Sequence, residues 1–284
     1  SRFAFSVFWL YIAILLGAEG YGHVGYILSI GAITNAFALL GSPDILVVYR
    51  AKGVRLESVI FLLVIIAAAV SSVILFFIVH SIELSLYIFG FVMFSLVLHE
   101  KLGSRDYRKY SIYYLTQRIL TIVLSILLYY VVGINGVILG YALSFTPFFI
   151  LIFKTLKNVP LNFSLISTRS RFLINSYSKS IFNVLYLNVD KVIILPLFGT
   201  LQLGQYYFGF QVFNAMVLLS TTVFQFTTPE DSSGNPHTKL KKYTVSLSTL
   251  ISLVGIFLTP FLIPILLPQF VDSIFIIHCY LEDS

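Results

Sequence analysis

Charge is what this sequence has least of. Of its 284 residues only 11% are Asp, Glu, Lys or Arg, against 58% hydrophobic, and the mean hydropathy is +0.94. A water-soluble domain carries roughly 25% charged residues, so that class is excluded. A single cysteine, Cys279, rules out an intrachain disulfide and leaves the redox compartment unread. Seventeen glycines and nine prolines are too few for a collagen-like or low-complexity chain. Strict alternation of apolar and polar residues is also missing, which excludes a transmembrane β-barrel. Apolar runs continuous over about 20 positions stand in its place. These exclusions leave an all-α, polytopic membrane protein.

Nine apolar runs mark the expected spans: 3–16, 22–40, 56–79, 84–98, 112–132, 134–153, 180–198, 206–226 and 245–267. A tenth begins near Phe270. A span needs about 20 residues to cross roughly 30 Å of hydrocarbon. The first run is shorter and opens at Ser1 with no initiator Met, so a preceding N-terminal piece is expected. A signal peptide is the alternative, but Glu19 and glycines follow Leu16 where a small-residue cleavage site would be needed.

Fifteen lysines and arginines fall in the connections after the second, fourth, sixth and eighth runs, and none in the other connections. They are Arg50, Lys52 and Arg55; Lys101, Arg105, Arg108 and Lys109; Lys154, Lys157, Arg169, Arg171 and Lys179; and Lys239, Lys241 and Lys242. Positive loops face the cytoplasm, which puts these connections and the N-terminus on the cytoplasmic side of a cell membrane. Spread over four loops without interleaved aromatic platforms, the basic residues do not make a nucleic-acid surface.

The longest connection, 154–179, contains Pro160, Asn162 and a run of Ser and Thr. It reads as a cytoplasmic linker, with a short amphipathic stretch around 163–173, between a six-helix first lobe (1–153) and an incomplete second lobe (180–284). A weak repeat agrees with that division. Gly17-Ala18-Glu19-Gly20-Tyr21-Gly22 and Gly199-Thr200-Leu201-Gln202-Leu203-Gly204 are offset by 182 positions, and each follows an apolar run and precedes tyrosines. Two unrelated tight turns with glycine at each end are the alternative, since glycine tolerates φ > 0. As a repeat, the even offset of six spans makes the halves parallel. It also implies that about 60–90 residues of further spans are expected beyond Ser284.

The same residues carry a resemblance. Leu16-Gly17-Ala18-Glu19-Gly20-Tyr21-Gly22, then Leu40-Gly41 nine residues before Arg50, resembles the opening of polysaccharide-biosynthesis flippases of the Wzx type. Asn188-Val189-Asp190-Lys191, Leu197-Phe198-Gly199 and Leu203-Gly204-Gln205-Tyr206 resemble the start of that family's second half. The family belongs to the multidrug/oligosaccharidyl-lipid/polysaccharide exporter superfamily. One departure is that the arginine often found three residues before the first glycine is Ile14 here. The resemblance implies a MATE-like fold of two six-helix lobes around a central cavity. It implies as cargo a polyprenyl-linked oligosaccharide or polysaccharide repeat unit, flipped outward by alternating access. It implies no cofactor, although many relatives couple to a proton or sodium gradient.

Charges inside spans cost about 2.5–3.5 kcal/mol each on insertion scales and therefore point to function. Arg118 lies about 9 Å into the fifth run, within snorkelling reach of the interface. Asp190 and Lys191 sit in the middle of the seventh run. At about 100° apart they are not expected to pair with each other. Asn183 aligns with Asp190. Gln211, Asn214, Thr221 or Thr222, and Gln225 share one stripe of the next run, and Asn35 adds an amide to the second. Such amides also serve as interhelical glue. A sugar–diphosphate head group needs cations and amides along a wet path, so the expected pathway residues are Arg118, Lys191, Asn183, Gln211, Asn214 and Asn35. Asp190 is the expected coupling-ion site, because burial and a nearby cation tune its affinity for a proton.

Two rival classes remain. A drug or cation exporter of the same superfamily is the nearer one, and the in-span balance of Arg118 and Lys191 against Asp190 favours an anionic cargo. A membrane-embedded glycosyltransferase or polymerase needs paired carboxylates or metal ligands at an interface. Glu19 and Glu83 stand alone, Glu230-Asp231 lies in a Ser/Gly-rich loop, and the five histidines lack ligand spacing. The expected protein is therefore not an enzyme. The topology is testable. With Cys279 replaced, a cysteine at Ser104 or Ser233 should resist an impermeant thiol reagent in intact cells, while cysteines near Glu19 and Glu83 should label.

Overall fold

A computed structural model describes residues 2–54, 56–158, 170–232 and 238–282. The described residues are helical throughout, with no strand among them: α1 (Arg2–Leu39), α2 (Ser42–Ala51), α3 (Glu57–Val79), α4 (Ile82–Gly103), α5 (Tyr107–Val132), α6 (Ile134–Leu143), α7 (Phe149–Asn158), α8 (Ser170–Phe198), α9 (Thr200–Ser232), α10 (Thr238–Leu266) and α11 (Ser273–Glu282). Six stretches among the described residues are long and apolar enough to cross a membrane: Phe5–Leu39, Glu57–Val79, Ile82–Gly103, Tyr107–Val132, Ile134–Leu156 and Phe172–Phe198. Large apolar side chains lie exposed along them, among them Ile66, Val70, Val73 and Phe77 of α3 and Ile119, Val123 and Leu127 of α5. Faces of this size suit acyl chains rather than water. The chain is a multi-pass, all-helical membrane protein.

The first two expected spans form one helix, α1, interrupted at a single residue. Thirty-eight residues of unbroken helix would measure about 57 Å, nearly twice the hydrocarbon core. Gly17 divides it with φ 70° and ψ 175°, a conformation that only glycine holds without strain. Gly199, with φ 89°, does the same between α8 and α9. The six-residue turns expected at 17–22 and 199–204 are thus one-residue breaks, and Gly22 and Gly204 lie inside helices.

Two other expectations change. The basic stretch after Gly41 is not a plain loop but begins with α2. Pro43 occupies its first turn, Asp44 faces the positive helix end and Arg50 the negative one. The sixth span is interrupted by a 3₁₀ turn at Thr146–Phe148, where Pro147 lacks the N–H a helix would use.

The chain packs as two units, 1–25 with 194–284, and 26–193. In the 26–193 unit, α4 is the hub and packs against α2, α3, α5, α6 and α7. Val92, Met93, Leu96 and Val97 of α4 meet Ile60, Phe61, Val64 and Ala68 of α3 in its core. Tyr87, Phe91 and Phe94 cluster with Phe145, at ring centroid distances of 5.5–6.1 Å. In the other unit, α9 packs on α10 and α11. There Phe208 stacks on Phe270 at 4.2 Å, beside the buried Tyr21.

The tightest pairing in the 26–193 unit is α5 with α6. A methyl group added at Gly136 would strike the Leu128 carbonyl, and one at Gly140 would strike the Ser125 backbone. This small-x-x-x-small face lets the two backbones touch. Polar atoms buried in the seam are bonded along α5 and out of it. Gln117 Nε2 donates to Thr121 Oγ1 (2.9 Å) and Ser144 Oγ (3.2 Å), and Ser125 Oγ donates to the Val137 carbonyl (2.9 Å). Gly140→Leu should lower stability by about 1–3 kcal/mol or more through overpacking, read as a drop in the thermal unfolding midpoint of the detergent-solubilised protein.

Candidate functional site

Most of the charged residues of the 26–193 unit lie at or near the ends of its helices. Gly103, the last residue of α4, has no side chain to hold α2 away. A Cβ there would fall 2.8 Å from Arg50 Cβ and 3.0 Å from Val47 Cα. This close approach brings Arg50 between two buried glutamates. Its Nη1 lies 2.7 Å from Glu57 Oε1, in the first turn of α3, and its Nε 3.9 Å from Glu100 Oε1, near the end of α4. Lys101 Nζ closes on the other Glu100 oxygen at 2.6 Å. The carboxylates are 3% and 8% exposed, so the pairing offsets a desolvation cost of several kcal/mol per ion.

Around this network is a cavity of about 300 Å³, whose rim adds Lys109, Tyr113, Lys154 and Thr155. Lys109 is anchored by Asp106, the N-cap of α5, which accepts from the Lys109 backbone N–H at 3.2 Å and from Nζ at 2.7 Å. The Lys109 side-chain bond holds the exposed Asp106 carboxyl below the usual range. Ser176 of α8 donates to the Gly41 carbonyl (3.2 Å) and Asp44 Oδ2 (3.1 Å), and Lys179 lies 3.8 Å from the same carboxylate. Basic residues from the connections after the second, fourth and sixth expected spans therefore come together. Composition separated them into loops, and only the packing of α2, α3, α4 and α7 makes them one cavity. Glu57 and Glu100 escaped the sequence reading because each sits at the edge of an apolar run, where a carboxylate reads as solvated.

The expected pathway residues divide between the units, Gln211 and Asn214 in one and Arg118, Asn35, Asn183, Asp190 and Lys191 in the other. Half-buried Arg118 donates from Nη2 to Tyr114 Oη at 3.2 Å, and its guanidinium lies 5.0 Å from the centre of the Tyr114 ring. That contact is a cation–π arrangement one helical turn away. Asn35 is buried, and neither atom of its amide finds a partner among the described residues. Asn183 is exposed on α8. Gln211 Nε2 donates to Tyr207 Oη (3.3 Å), and exposed Asn214 donates to the Phe210 carbonyl of its own helix (2.8 Å). The side chains of Thr221, Thr222 and Gln225, the Glu230-Asp231 pair, and residues 163–169 of the amphipathic stretch lie outside the described residues.

Asp190 and Lys191 correct the sequence reading directly, because they pair. Lys191 Nζ lies 3.0 Å from Asp190 Oδ1 and 3.1 Å from Oδ2, and it also donates to the Leu187 carbonyl at 2.6 Å. The 100° between neighbouring positions separates the Cβ atoms, not the ends of the side chains. Lysine's four-carbon stem bends back along the helix and closes the gap. The ammonium is almost fully buried and Asp190 half-buried. Asp190→Asn alone should lower the yield of folded protein by stranding the Lys191 charge, and Asp190→Asn with Lys191→Gln should recover part of it. A double-mutant cycle on thermal stability should read a coupling of about 0.5–3 kcal/mol.

In the 1–25/194–284 unit the two glycine breaks lead into helix segments that touch. A methyl group at Gly22 would strike the Thr200 carbonyl, and one at Gly204 would strike the Ala18 carbonyl. One turn on, a Cβ at Gly25 would lie 2.8 Å from the Tyr207 ring. Thr200 Oγ1 donates to Glu19 Oε1 at 3.4 Å on the exposed rim of this contact. No family model, no curated protein and no solved structure matches the chain.

Proposed function

We propose that this chain works as a flippase, moving a polyprenyl-linked oligosaccharide or polysaccharide repeat unit from the cytoplasmic to the outer face of a cell membrane by alternating access. Its lobes are 1–153 and 180–284, joined by the linker 154–179. The observation that carries this reading is the reciprocity of the glycine contact. The offset of 182 maps Ala18 onto Thr200, Gly22 onto Gly204 and Gly25 onto Tyr207. Gly22 abuts Thr200 and Gly204 abuts Ala18, while Gly25 meets its own counterpart. A two-fold contact has this signature: when one residue meets the counterpart of a second, the second meets the counterpart of the first. Two parallel repeats about an axis along the membrane normal form a common plan of alternating-access transporters. Residues 18–25 and 200–207 are then the seam by which the lobes close one end of the pathway.

The charge balance supports an anionic cargo. Arg118 and Lys191 outnumber Asp190 within the spans, and the basic loops face the side on which a lipid-linked glycan is made. The pair at 190–191 supplies a coupling step. A proton or sodium ion taken by Asp190 weakens its hold on Lys191 and frees the ammonium for the cargo diphosphate, which Arg118, Asn35 and Asn183 of the same unit would help to solvate.

The test is transport by the full chain in vesicles loaded with a fluorescent polyprenyl-diphosphate oligosaccharide, read by quenching with an impermeant reductant. The protein should accelerate exposure of the probe well above protein-free vesicles. Gly22→Leu, which blocks the seam, should abolish the gain when rates are compared per amount of folded protein reconstituted. A rate equal to that of empty vesicles overturns the proposal. Transport of a lipophilic cation in place of the glycolipid moves the chain to the drug exporters.

A further inference from the structure

The cavity beside Arg50 has no part in the flippase reading and stands independently of it. Its lining has two opposite characters. Lys101, Lys109 and Lys154 bring ammonium groups, each with three protons. Lys101 and Lys109 spend one contact apiece on Glu100 and Asp106, and Lys154 is exposed with no ion-pair partner among the described residues. Glu57 lines the same cavity. Arg50 takes its Oε1, but its Oε2 is fully buried and accepts no hydrogen bond from the described residues. A buried carboxylate oxygen left without a donor is costly and uncommon.

This combination narrows the occupant. A bare metal cation would compete with Arg50 and Lys101 for carboxylates already neutralised, inside a ring of positive charge. A simple anion would satisfy the lysines and leave Glu57 Oε2 repelled. The group that satisfies both the lysines and Glu57 carries anionic oxygens and, a few bonds away, a hydroxyl or amino donor. A volume of about 300 Å³ is at the small end of ligand pockets, the size of a head group rather than a nucleotide.

We propose that this cavity binds a phosphate ester bearing a hydroxyl or amino group. The phosphoryl oxygens rest on Lys101, Lys109 and Lys154, and the hydroxyl or amino hydrogen is given to Glu57 Oε2. Two sources share this chemistry, a phospholipid head group entering from the adjacent bilayer and a soluble sugar or polyol phosphate entering from water. The lysines supply charge-assisted hydrogen bonds and affinity, and Glu57 selects against esters that lack a donor.

The experiment uses the full chain in nanodiscs of phosphatidylcholine, whose quaternary ammonium has no N–H. The thermal unfolding midpoint is followed while glycerol 1-phosphate is titrated, with glycerol alone as control. A parallel sample replaces part of the lipid with phosphatidylglycerol and contains no soluble phosphate. A saturable rise with glycerol 1-phosphate identifies a soluble ligand, and a rise confined to the phosphatidylglycerol discs identifies a lipid head group. In whichever arm responds, Lys154→Gln, a change at an exposed position, should weaken binding about tenfold. Glu57→Gln should weaken binding of the ester more than that of inorganic phosphate. If that variant does not fold, Lys154→Gln decides. No rise in either arm, an equal rise with glycerol alone, or a rise that Lys154→Gln leaves unchanged overturns the proposal.

Discussion

Acyl chains are as apolar as leucine, so burial alone gives two membrane helices little reason to associate. Cohesion comes from places where backbones come close enough to touch and where polar atoms find partners across the seam. The structure depends on a few such places. Gly22 and Gly204 admit the carbonyls of Thr200 and Ala18. Gly136 and Gly140 admit the backbone of α5, and the hydrogen bonds of Gln117, Thr121, Ser125 and Ser144 lock that contact. Gly103 admits α2, and this contact determines where Arg50 sits.

The charged chemistry follows from these contacts. Because α2 lies against the end of α4, one arginine reaches two buried glutamates, Glu57 at 2.7 Å and Glu100, which Lys101 also holds. The helix ends that gather there bring lysines from three separated segments, and their repulsion is moderated by Glu100 and Asp106. Inside the membrane stretch the opposite solution is used. Asp190 and Lys191 close on each other along one helix, and Lys191 also donates to the Leu187 carbonyl.

Much of the fold was legible in the sequence because the bilayer forces backbone hydrogen bonds to be satisfied within each helix. That makes helix existence a local property, and the runs from 56 to 198 match helices within a few residues, with exceptions at Pro147 and at the extended start of α8. The breaks were legible to within a turn: glycines at 17–22 and 199–204 marked them, but only Gly17 and Gly199 carry the non-helical angles. The site was less so. Arg118, Asn35 and the Asp190–Lys191 pair could be singled out because polarity inside a span is rare, but their partners could not.

By itself, then, the sequence determined the class of the protein, the regions of its long apolar helices from 56 to 198 and, to within a turn, where two of them break. These depend on composition and on interactions within a few residues. Only the tertiary structure decided that Gly22 and Gly204 serve contact rather than turning, that a short α2 occupies an expected loop, that Lys191 folds back onto Asp190, and that Arg50, Glu57, Glu100 and Lys154 share one cavity. Each of these, the bend of one lysine stem apart, depends on where a residue meets another helix or on how a connection docks, and hydropathy along the chain carries no record of such meetings.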